Sequence, residues 1–320
     1  MATPAIAAKL VEVCSLEELK SALRFVQQAG MSALPLGEGS NTVFQRDYNG
    51  LVVLVRIGGI NLVQENEQSA TIQVGAGVNW HKLVAHCLQQ GWYGLENLAL
   101  IPGLAGAAPI QNIGAYGVEI ASFISRVEVL NIATLEVSTL ANQECVFGYR
   151  DSIFKHALKD QVVITQVELC LNKEAQPNIA YPALKNYFGS RQPMPEQVFN
   201  AVCEIRNAKL PLPSDIPNCG SFFKNPVVSE TEFVSLKQRF PHIVGFRFGD
   251  QVKLAAAWLI EQAGWKDQSY KDVCVHKEQA LVITNARHRR GETVVHFAQM
   301  IQQDISDKFG VELEIEPQII

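Results

Sequence analysis

The sequence is poor in charge, and it lacks long hydrophobic runs and any dense basic segment. Charged residues make up 18% of its 320 residues and the formal net charge is -5, so nothing indicates a nucleic-acid partner. No window approaches the ~18 consecutive apolar residues of a membrane-spanning helix, so we expect no membrane insertion. The first residues, MATPAIAAKLVEV, lack the basic start and the apolar core of a signal peptide.

The cysteines are odd in number and form no CxxC pair. Such a pattern in a large chain is typical of buried, reduced thiols, and it does not indicate a disulfide framework. No metal-ligand spacing is present among them, so we expect no metal site. We therefore predict a cytoplasmic protein. The cysteines are Cys14, Cys87, Cys145, Cys170, Cys203, Cys219 and Cys274.

The length predicts two or three domains, since a domain typically has about 100–200 residues. A proline-rich run at 210–217 without hydrophobic periodicity marks one boundary. We predict a first lobe at 1–56, a second at 57–209 and a third at 210–310. The terminal segment 311–320 is predicted to return to the first lobe.

Capping patterns and apolar spacing indicate where helices and strands lie. Ser15 opens a capping box before apolar residues at helical spacing, and Gly30 ends that helix. A second capping box at 229–232 opens another helix. The segment KLAAAWLIEQA, 253–263, predicts a helix throughout its length, and the alternation at 311–320 predicts a strand.

A long apolar stretch of small residues, ENLALIPGLAGAAPIQNIGAYG at 96–117, dominates the sequence. Pro102 and Pro109 exclude a continuous helix, and frequent glycine argues against a buried strand. We predict a packed loop whose glycines remove side chains where a large ligand approaches, with Gln111 and Asn112 able to hydrogen-bond a heterocycle or a phosphate. The alternative is a glycine-rich crossover that binds nothing. The glycines are Gly103, Gly106, Gly114 and Gly117.

The segment GEGSNT at 37–42 has two interpretations. It resembles the start of a Rossmann fingerprint, but the third glycine is missing and no long helix follows, so a dinucleotide-binding Rossmann fold is not indicated. Successive backbone N–H groups with Ser40, Asn41 and Thr42 can form a nest around a pyrophosphate. The alternative is an ordinary turn between two strands.

Arg150 lies within FGYRDSIFK, 147–155, a segment that is both aromatic and charged. A guanidinium among aromatic rings suits bidentate capture of a carboxylate or a phosphate. The alternative is a structural ion pair with Asp151, since such pairs imitate functional ones.

Ser221 and Glu316 are two further candidates. Ser221 in NCGSFFKNP lies close to Lys224, and a nearby cation makes a serine hydroxyl more acidic. No GxSxG elbow is present, so a hydrolase nucleophile is not indicated, and a simple turn before a strand is the alternative. Glu316 shares one face of the terminal strand with Glu312 and Glu314. That face is either solvated or places Glu316 in a cleft.

Seven motifs occur together in one order: LPLGEGSNTVF, GLENLALIPGLAGAAPIQNIGAYGVE, FGYRDSIFK, NCGSFFKNP, KLAAAWLIEQAGW, HKEQALVITN and LEIEP. In this combination the sequence resembles the UDP-N-acetylenolpyruvoylglucosamine reductase family over nearly its whole length. The segment YPALKNYF at 181–188 resembles the variant that carries a tyrosine loop over the substrate.

The resemblance implies an α+β fold with an FAD-binding region of the vanillyl-alcohol-oxidase (PCMH) type in two lobes, plus an α/β substrate-binding lobe. It implies non-covalent FAD along 37–42 and the glycine-rich loop. The FAD-binding residues that it implies are Gly37, Gly39, Ser40, Asn41, Thr42, Pro102, Gly103, Ala108, Gln111, Asn112, Ile113, Gly114, Ala115, Tyr116 and Gly117.

The same resemblance implies NADPH-dependent reduction of UDP-N-acetylglucosamine enolpyruvate to UDP-N-acetylmuramate, a step of peptidoglycan precursor synthesis. Hydride would pass from NADPH to FAD and then to the vinyl carbon. Arg150 and Glu316 would stabilise the enolate, and Ser221 would be the proton donor. A monomer is expected. The residues implied to contact the UDP-sugar are Tyr181, Lys209, Asn225 and Gln279.

Two other functions stay open at this point. One is a related flavin oxidase of small alcohols, which would often carry a covalently tethered FAD. The other is a flavin- or UDP-sugar-binding module without turnover, because a fold alone does not establish activity.

Overall fold

A computed structural model describes residues 1–320, and the chain divides into two compact units. Unit 1 comprises 1–6, 40–48 and 209–320, and unit 2 comprises 7–39 and 49–208. The boundary near residue 209 lies where the proline-rich run begins. The finer division into lobes at 1–56 and 57–209 stays a prediction.

Seven α-helices are present, and none is long and apolar enough to cross a membrane. They are α1 Leu16–Ala29, α2 Trp80–Gln89, α3 Pro182–Phe188, α4 Pro195–Lys209, α5 Glu230–Arg239, α6 Ala256–Gln262 and α7 Gly291–Phe309.

Most strands are short, and they form six small sheets. They are β1 Ala7–Val13, β2 Ala33–Leu36, β3 Thr42–Val43, β4 Tyr48–Val55, β5 Ile60–Glu65, β6 Ser69–Gly75, β7 Gly114–Ala115, β8 Val118–Glu119, β9 Ile124–Asn131, β10 Val137–Ala141, β11 Val162–Asn172, β12 Asn218–Ser221, β13 Val227–Ser229, β14 Gly245–Phe248, β15 Gln251–Leu254, β16 Ser269–Tyr270, β17 Val273–Val275, β18 Val282–Thr284 and β19 Gln318–Ile319.

The largest sheet of unit 2 is antiparallel, with the order β10-β9-β11-β6-β5. Its apolar side chains share one core with α2, through Trp80 and Leu83, and with α4, through Val198. Ala105 and Ile113 of the glycine-rich loop are buried in the same core. The loop is therefore held by packing, although it has little regular structure.

The first predicted helix is confirmed as α1. The Ser15 side chain accepts a hydrogen bond from the Glu18 N–H at 3.2 Å, and Gly30 closes the helix with a φ of 61°. The buried stripe of α1 includes Leu19, Leu23 and Val26, which pack in a core with residues of β4. In unit 2 the strand β4 lies between β1 and β2.

Unit 1 is built around the helix α7 and two small sheets, β12-β18-β17-β16 and β13-β15-β14. Phe222, Phe223 and Phe297 are almost completely buried in its core. The predicted capping box of α5 is confirmed. The Glu232 N–H donates to the Ser229 side chain, and the Ser229 N–H donates to the Glu232 side chain.

Two secondary-structure predictions were wrong in part. The segment 253–263 is not helical throughout, because Lys253 and Leu254 complete β15 and only Ala256–Gln262 forms α6. The final ten residues form no continuous strand: Ile315 makes an isolated bridge to Phe223, and only Gln318–Ile319 pairs, in parallel, with Thr42–Val43. In both cases long-range pairing overrides the local pattern.

Gly106 is a packing position within unit 2. A Cβ at Gly106 would lie 2.5 Å from the Cβ and 3.0 Å from the Cα of Ala76. We expect Gly106→Ala to lower the free energy of unfolding by about 1–3 kcal/mol, because an added methyl group in a close-packed core forces shifts. Urea unfolding measures the effect.

The double variant Gly106→Ala/Ala76→Gly provides the control. It should be less destabilised than the sum of the two single variants, since the shortest contact joins the two Cβ positions. Additive losses would show that the methyl group added at Gly106 does not clash with the Ala76 side chain.

Candidate active site

Ser221 ends the strand β12 in unit 1, where it lies opposite Val282 of β18. The preceding Gly220 has a φ of 72°, a conformation that glycine adopts without strain. Ser221 is partly buried, and its hydroxyl makes no hydrogen bond within the protein. A partly buried hydroxyl without a protein partner is free to serve a ligand.

The backbone of Glu316 joins the strand of Ser221 to the GEGSNT segment. The Glu316 N–H donates to the Phe222 carbonyl at 2.9 Å, and the Asn41 side-chain amide approaches the Glu316 carbonyl at 3.5 Å. The Gln318 N–H donates to the Asn41 carbonyl at 2.9 Å. Unit 1 thus brings together Ser221, the predicted proton donor, the backbone of Glu316, which is predicted to stabilise the enolate, and Asn41, one predicted FAD-binding residue.

The other two glutamates of the terminal segment are exposed and occupied elsewhere. Glu312 accepts from the Ser306 hydroxyl, and Glu314 pairs with Lys224. Lys224 therefore has its charge neutralised by a carboxylate. Glu316 is less exposed than both, so the interpretation as one uniformly solvated face is wrong for this residue.

Two predicted substrate contacts, Asn225 and Gln279, also lie in unit 1. A backbone N–H holds the side-chain amide of each residue in one orientation. The Ala256 N–H donates to Asn225 Oδ1 at 2.9 Å, and the Leu281 N–H donates to Gln279 Oε1 at 3.3 Å. Neither side-chain NH₂ group has an acceptor within the protein, so both are available to donate to a ligand. Lys209, a third predicted contact, is exposed.

The glycine-rich loop of unit 2 is irregular, with short 3₁₀ turns. Gly103 and Gly117 have φ values of 116° and 81°, and three other residues, Leu100, Asn112 and Tyr116, have φ values of 56°, 44° and 48°. Non-glycine residues rarely adopt this conformation, and such strain clusters at functional sites.

The glycines of these two segments serve different purposes. At Gly39 and Gly117 the nearest atoms to an added Cβ would be single side-chain atoms at 4.0 and 3.9 Å, so these backbone faces are open. Gly106 and Gly114 are packed instead, since a Cβ at Gly114 would lie 3.0 Å from Glu119 and 3.1 Å from Arg150. Packing within the protein already requires glycine at Gly106 and Gly114, and the approach of a ligand to the four loop glycines stays a prediction. The open faces fit a flat ring laid against bare backbone.

Asn112 is 1% exposed and its side chain is fully used within the protein. Its Nδ2 donates to Glu119 and to the Gly148 carbonyl, both at 2.9 Å, and its Oδ1 accepts from the Ala121 N–H at 3.0 Å. Both amide hydrogens are therefore engaged within the protein. Asn112 stays a predicted FAD-binding residue, and its backbone is the part that remains for such a contact.

Arg150 is partly buried beside the glycine-rich loop. Its Nη2 donates to the Gly114 carbonyl at 2.7 Å, and its φ is 54°. The neighbouring Asp151 is held by His156, whose Nε2 lies 2.8 Å from both carboxylate oxygens. Arg150 is thus held beside Gly114, a predicted FAD-binding position.

Tyr116 and Tyr181 stack edge to face in unit 2, with ring centroids 5.3 Å apart. Burial raises the pKa of the Tyr116 phenol, and the charge of Arg206, a residue that sequence analysis missed, acts in the opposite direction. The signal was present, because Arg206 follows Val198 and Val202 at a spacing of four on α4. A cation on an apolar stripe is a candidate functional group.

Comparison with known proteins shows the family of this chain. Residues 7–140 match an FAD-binding domain family, and residues 211–320 match the C-terminal domain family of UDP-N-acetylenolpyruvoylglucosamine reductase. The UDP-N-acetylenolpyruvoylglucosamine reductase of Pasteurella multocida (strain Pm70) is 46% identical over 99% of this chain and 93% of its own length. The chain belongs to the UDP-N-acetylenolpyruvoylglucosamine reductase family.

Other relatives support the same assignment. The UDP-N-acetylenolpyruvoylglucosamine reductase of Shewanella sp. (strain ANA-3) is 47% identical over 97% of this chain and 91% of its own length. The crystal structure of the reductase from Thermus caldophilus aligns with a TM-score of 0.67 over 97% of this chain and 91% of that chain, at 22% identity, which shows a shared fold.

These findings confirm the predicted family, the predicted class of enzyme and the α+β flavoprotein fold. The match to the FAD-binding domain family confirms FAD as the cofactor. The roles of individual side chains stay predictions, and they are taken up next.

Proposed function

We propose that this protein uses NADPH and non-covalent FAD to reduce UDP-N-acetylglucosamine enolpyruvate to UDP-N-acetylmuramate. The observation that carries this proposal is the arrangement of unit 1. There the unpartnered hydroxyl of Ser221 and the backbone of Glu316 lie on adjoining segments, next to Asn41 of the GEGSNT motif.

The chemistry that bound FAD would supply is hydride transfer, with NADPH as the reductant and the vinyl carbon of the substrate as the acceptor. Gly39 and Gly117 offer open backbone faces for it. The residues proposed to hold it are those predicted from the sequence, with Asn112 and Gly114 contributing only backbone. Tyr181, Lys209, Asn225 and Gln279 are proposed to contact the UDP-sugar.

Arg150 and Glu316 are proposed to stabilise the charge that builds on the substrate. After hydride addition, negative charge spreads from the carbon into the neighbouring carboxylate. Fixed donors aimed at developing charge are usually the largest catalytic contribution. Arg150 donates from its guanidinium, whereas Glu316 helps only as a protonated carboxyl, since an ionised one would repel the charge.

Ser221 is proposed to deliver the proton that completes the reaction. Free serine is a poor acid, so a cation must stabilise the alkoxide that remains. Lys224 is engaged by Glu314 and is 11% exposed in its side chain. Lys209, which is exposed and has no ion-pair partner, is therefore the better candidate for this cation.

The absorbance of the purified protein tests the function directly. We expect flavin bands that NADPH bleaches and that the enolpyruvyl nucleotide restores without oxygen. Acid precipitation should release the flavin into solution, since no tether is proposed. Bands that persist with NADPH, or that recover only with oxygen, would contradict the proposal and favour a binding module or an oxidase. We also propose that the protein is cytoplasmic and monomeric. Light scattering of the purified protein would test whether it is a monomer.

A further inference from the structure

The backbone at Glu38 and Gly39, in the part of the GEGSNT segment that belongs to unit 2, is suited to binding an anion. Neither the Glu38 N–H nor the Gly39 N–H has a hydrogen-bond acceptor within the protein. Gly39 has a φ of 65°, whereas the φ of Glu38 is not positive. Successive N–H groups with this alternation form a concave nest for an anion. The FAD diphosphate is the anion that the proposed function brings to this segment.

The side chain of Glu38 brings a negative charge to the same segment. Two charges of the same sign a few ångströms apart repel each other at a protein surface. A carboxylate that turned back onto its own backbone would therefore oppose a bound diphosphate. Binding of a diphosphate here requires that the carboxylate is held elsewhere.

Asn79 holds the Glu38 carboxylate. Its Nδ2 donates to Glu38 Oε1 at 3.1 Å, and Glu38 makes no other side-chain hydrogen bond within the protein. Asn79 Oδ1 accepts from the Lys82 N–H at 3.1 Å and caps α2, so the helix fixes the orientation of the amide. The carboxylate thus lies at the N-terminus of α2, where the helix dipole favours negative charge.

The surroundings of Asn79 fix its position relative to both segments that are proposed to bind FAD. Its backbone forms a bridge with Leu104 of the glycine-rich loop. The Leu104 side chain lies 3.4 Å from the place of a Cβ at Gly37. Arg56 Nη1 donates to the Gly37 carbonyl at 3.1 Å. The Asn79–Glu38 hydrogen bond therefore acts on a backbone that is already held in place.

We propose that Asn79 is a positioning residue for the cofactor: its amide holds the Glu38 carboxylate at the start of α2, which leaves the N–H groups of Glu38 and Gly39 to the FAD diphosphate. Neither side chain touches the cofactor. The inference rests on the proposed position of FAD and adds two residues to it. The alternative is that the Asn79–Glu38 hydrogen bond is only a structural link between two segments.

The dissociation constant of FAD tests the proposal. The holoenzyme is diluted, and the released FAD is measured by its fluorescence. Asn79→Asp keeps the helix cap, since aspartate and asparagine cap equally well, but it lacks the NH₂ donor and repels Glu38. We expect it to weaken FAD binding about 10-fold, the lower end for loss of a hydrogen bond to a charged group. An unchanged affinity would overturn the proposal.

The double variant Asn79→Asp/Glu38→Ala separates the two explanations. If the released carboxylate opposes the diphosphate, its removal should return the FAD affinity close to that of the unaltered protein, because the two changes are coupled. Alanine cannot restore a structural link, so an affinity that stays low would overturn the proposal. Glu38→Ala alone should bind FAD at least as tightly as the unaltered protein. A loss as large as that of Asn79→Asp would favour the structural link.

Gln89→Glu is the matched control. Gln89 is exposed at the other end of α2, and the ten residues of the helix place it about 15 Å away. This variant adds the same charge and should leave the FAD affinity unchanged. Asn79→Ser, which also caps a helix and lacks the amide, replaces Asn79→Asp if that variant does not fold. Bleaching by NADPH and recovery in the unaltered protein test the proposed function separately, so failure of either idea is recognised.

Discussion

Replacing Ser221 with alanine is expected to slow reoxidation of the reduced flavin by the enolpyruvyl nucleotide at least about 10²-fold, the lower scale for loss of a general acid. Reduction of the flavin by NADPH should continue at its normal rate, because no proton from Ser221 is needed in that step. Stopped-flow absorbance at the flavin band follows the two half-reactions separately. The hydroxyl is free of protein partners, so its loss removes no hydrogen bond of the fold.

Ser235→Ala is a matched control for this experiment. Ser235 is exposed on α5, and its replacement by the best helix-forming residue should leave both half-reactions unchanged. Equal slowing of both half-reactions in Ser221→Ala would contradict a role as proton donor. It would indicate a disturbed flavin site instead.

The second large effect is expected at Glu316, where two substitutions give different results. Glu316→Ala removes the proposed donor to the developing enolate and should slow flavin reoxidation by about 10²–10³-fold, the cost of losing one such donor. Glu316→Gln should keep much of the rate, since an amide N–H can donate to the same oxygen. The comparison reports the protonation state in which the residue works.

Glu312→Ala is the control, because Glu312 lies in the same terminal segment and is exposed. It should leave flavin reoxidation unchanged. If glutamine and alanine at Glu316 were equally slow, the residue would not act as a hydrogen-bond donor. The neutral-carboxyl role would then be wrong.

Local signals in the sequence were sufficient for the helix caps. Ser15 and Ser229 form their predicted caps because the bond joins a side chain to a backbone N–H three residues away. The prediction at 253–263 failed because Lys253 and Leu254 pair with β13 and β14, and nothing within the segment reveals those partners.

In the glycine-rich loop, too, the sequence predicted the local feature and the structure revealed the distant partners. Its composition identified it as a loop where backbone approaches something closely. Only the structure shows that Gly106 approaches Ala76 from within the protein, whereas Gly117 leaves an open face. Likewise, Asn112 has the chemistry of a ligand contact, yet its hydrogen bonds go to Glu119, Gly148 and Ala121.

The sequence by itself determined the family and the cofactor and supplied the candidates for the reacting groups, because these depend on motifs whose residues and order are visible in one dimension. The tertiary structure alone decided which polar groups remain available. Lys224 is neutralised by Glu314, and the charge of Arg206 lowers the pKa of the Tyr116 phenol against the larger, opposite effect of burial. A charge is free or engaged according to partners that are distant in sequence, and folding alone brings those partners together.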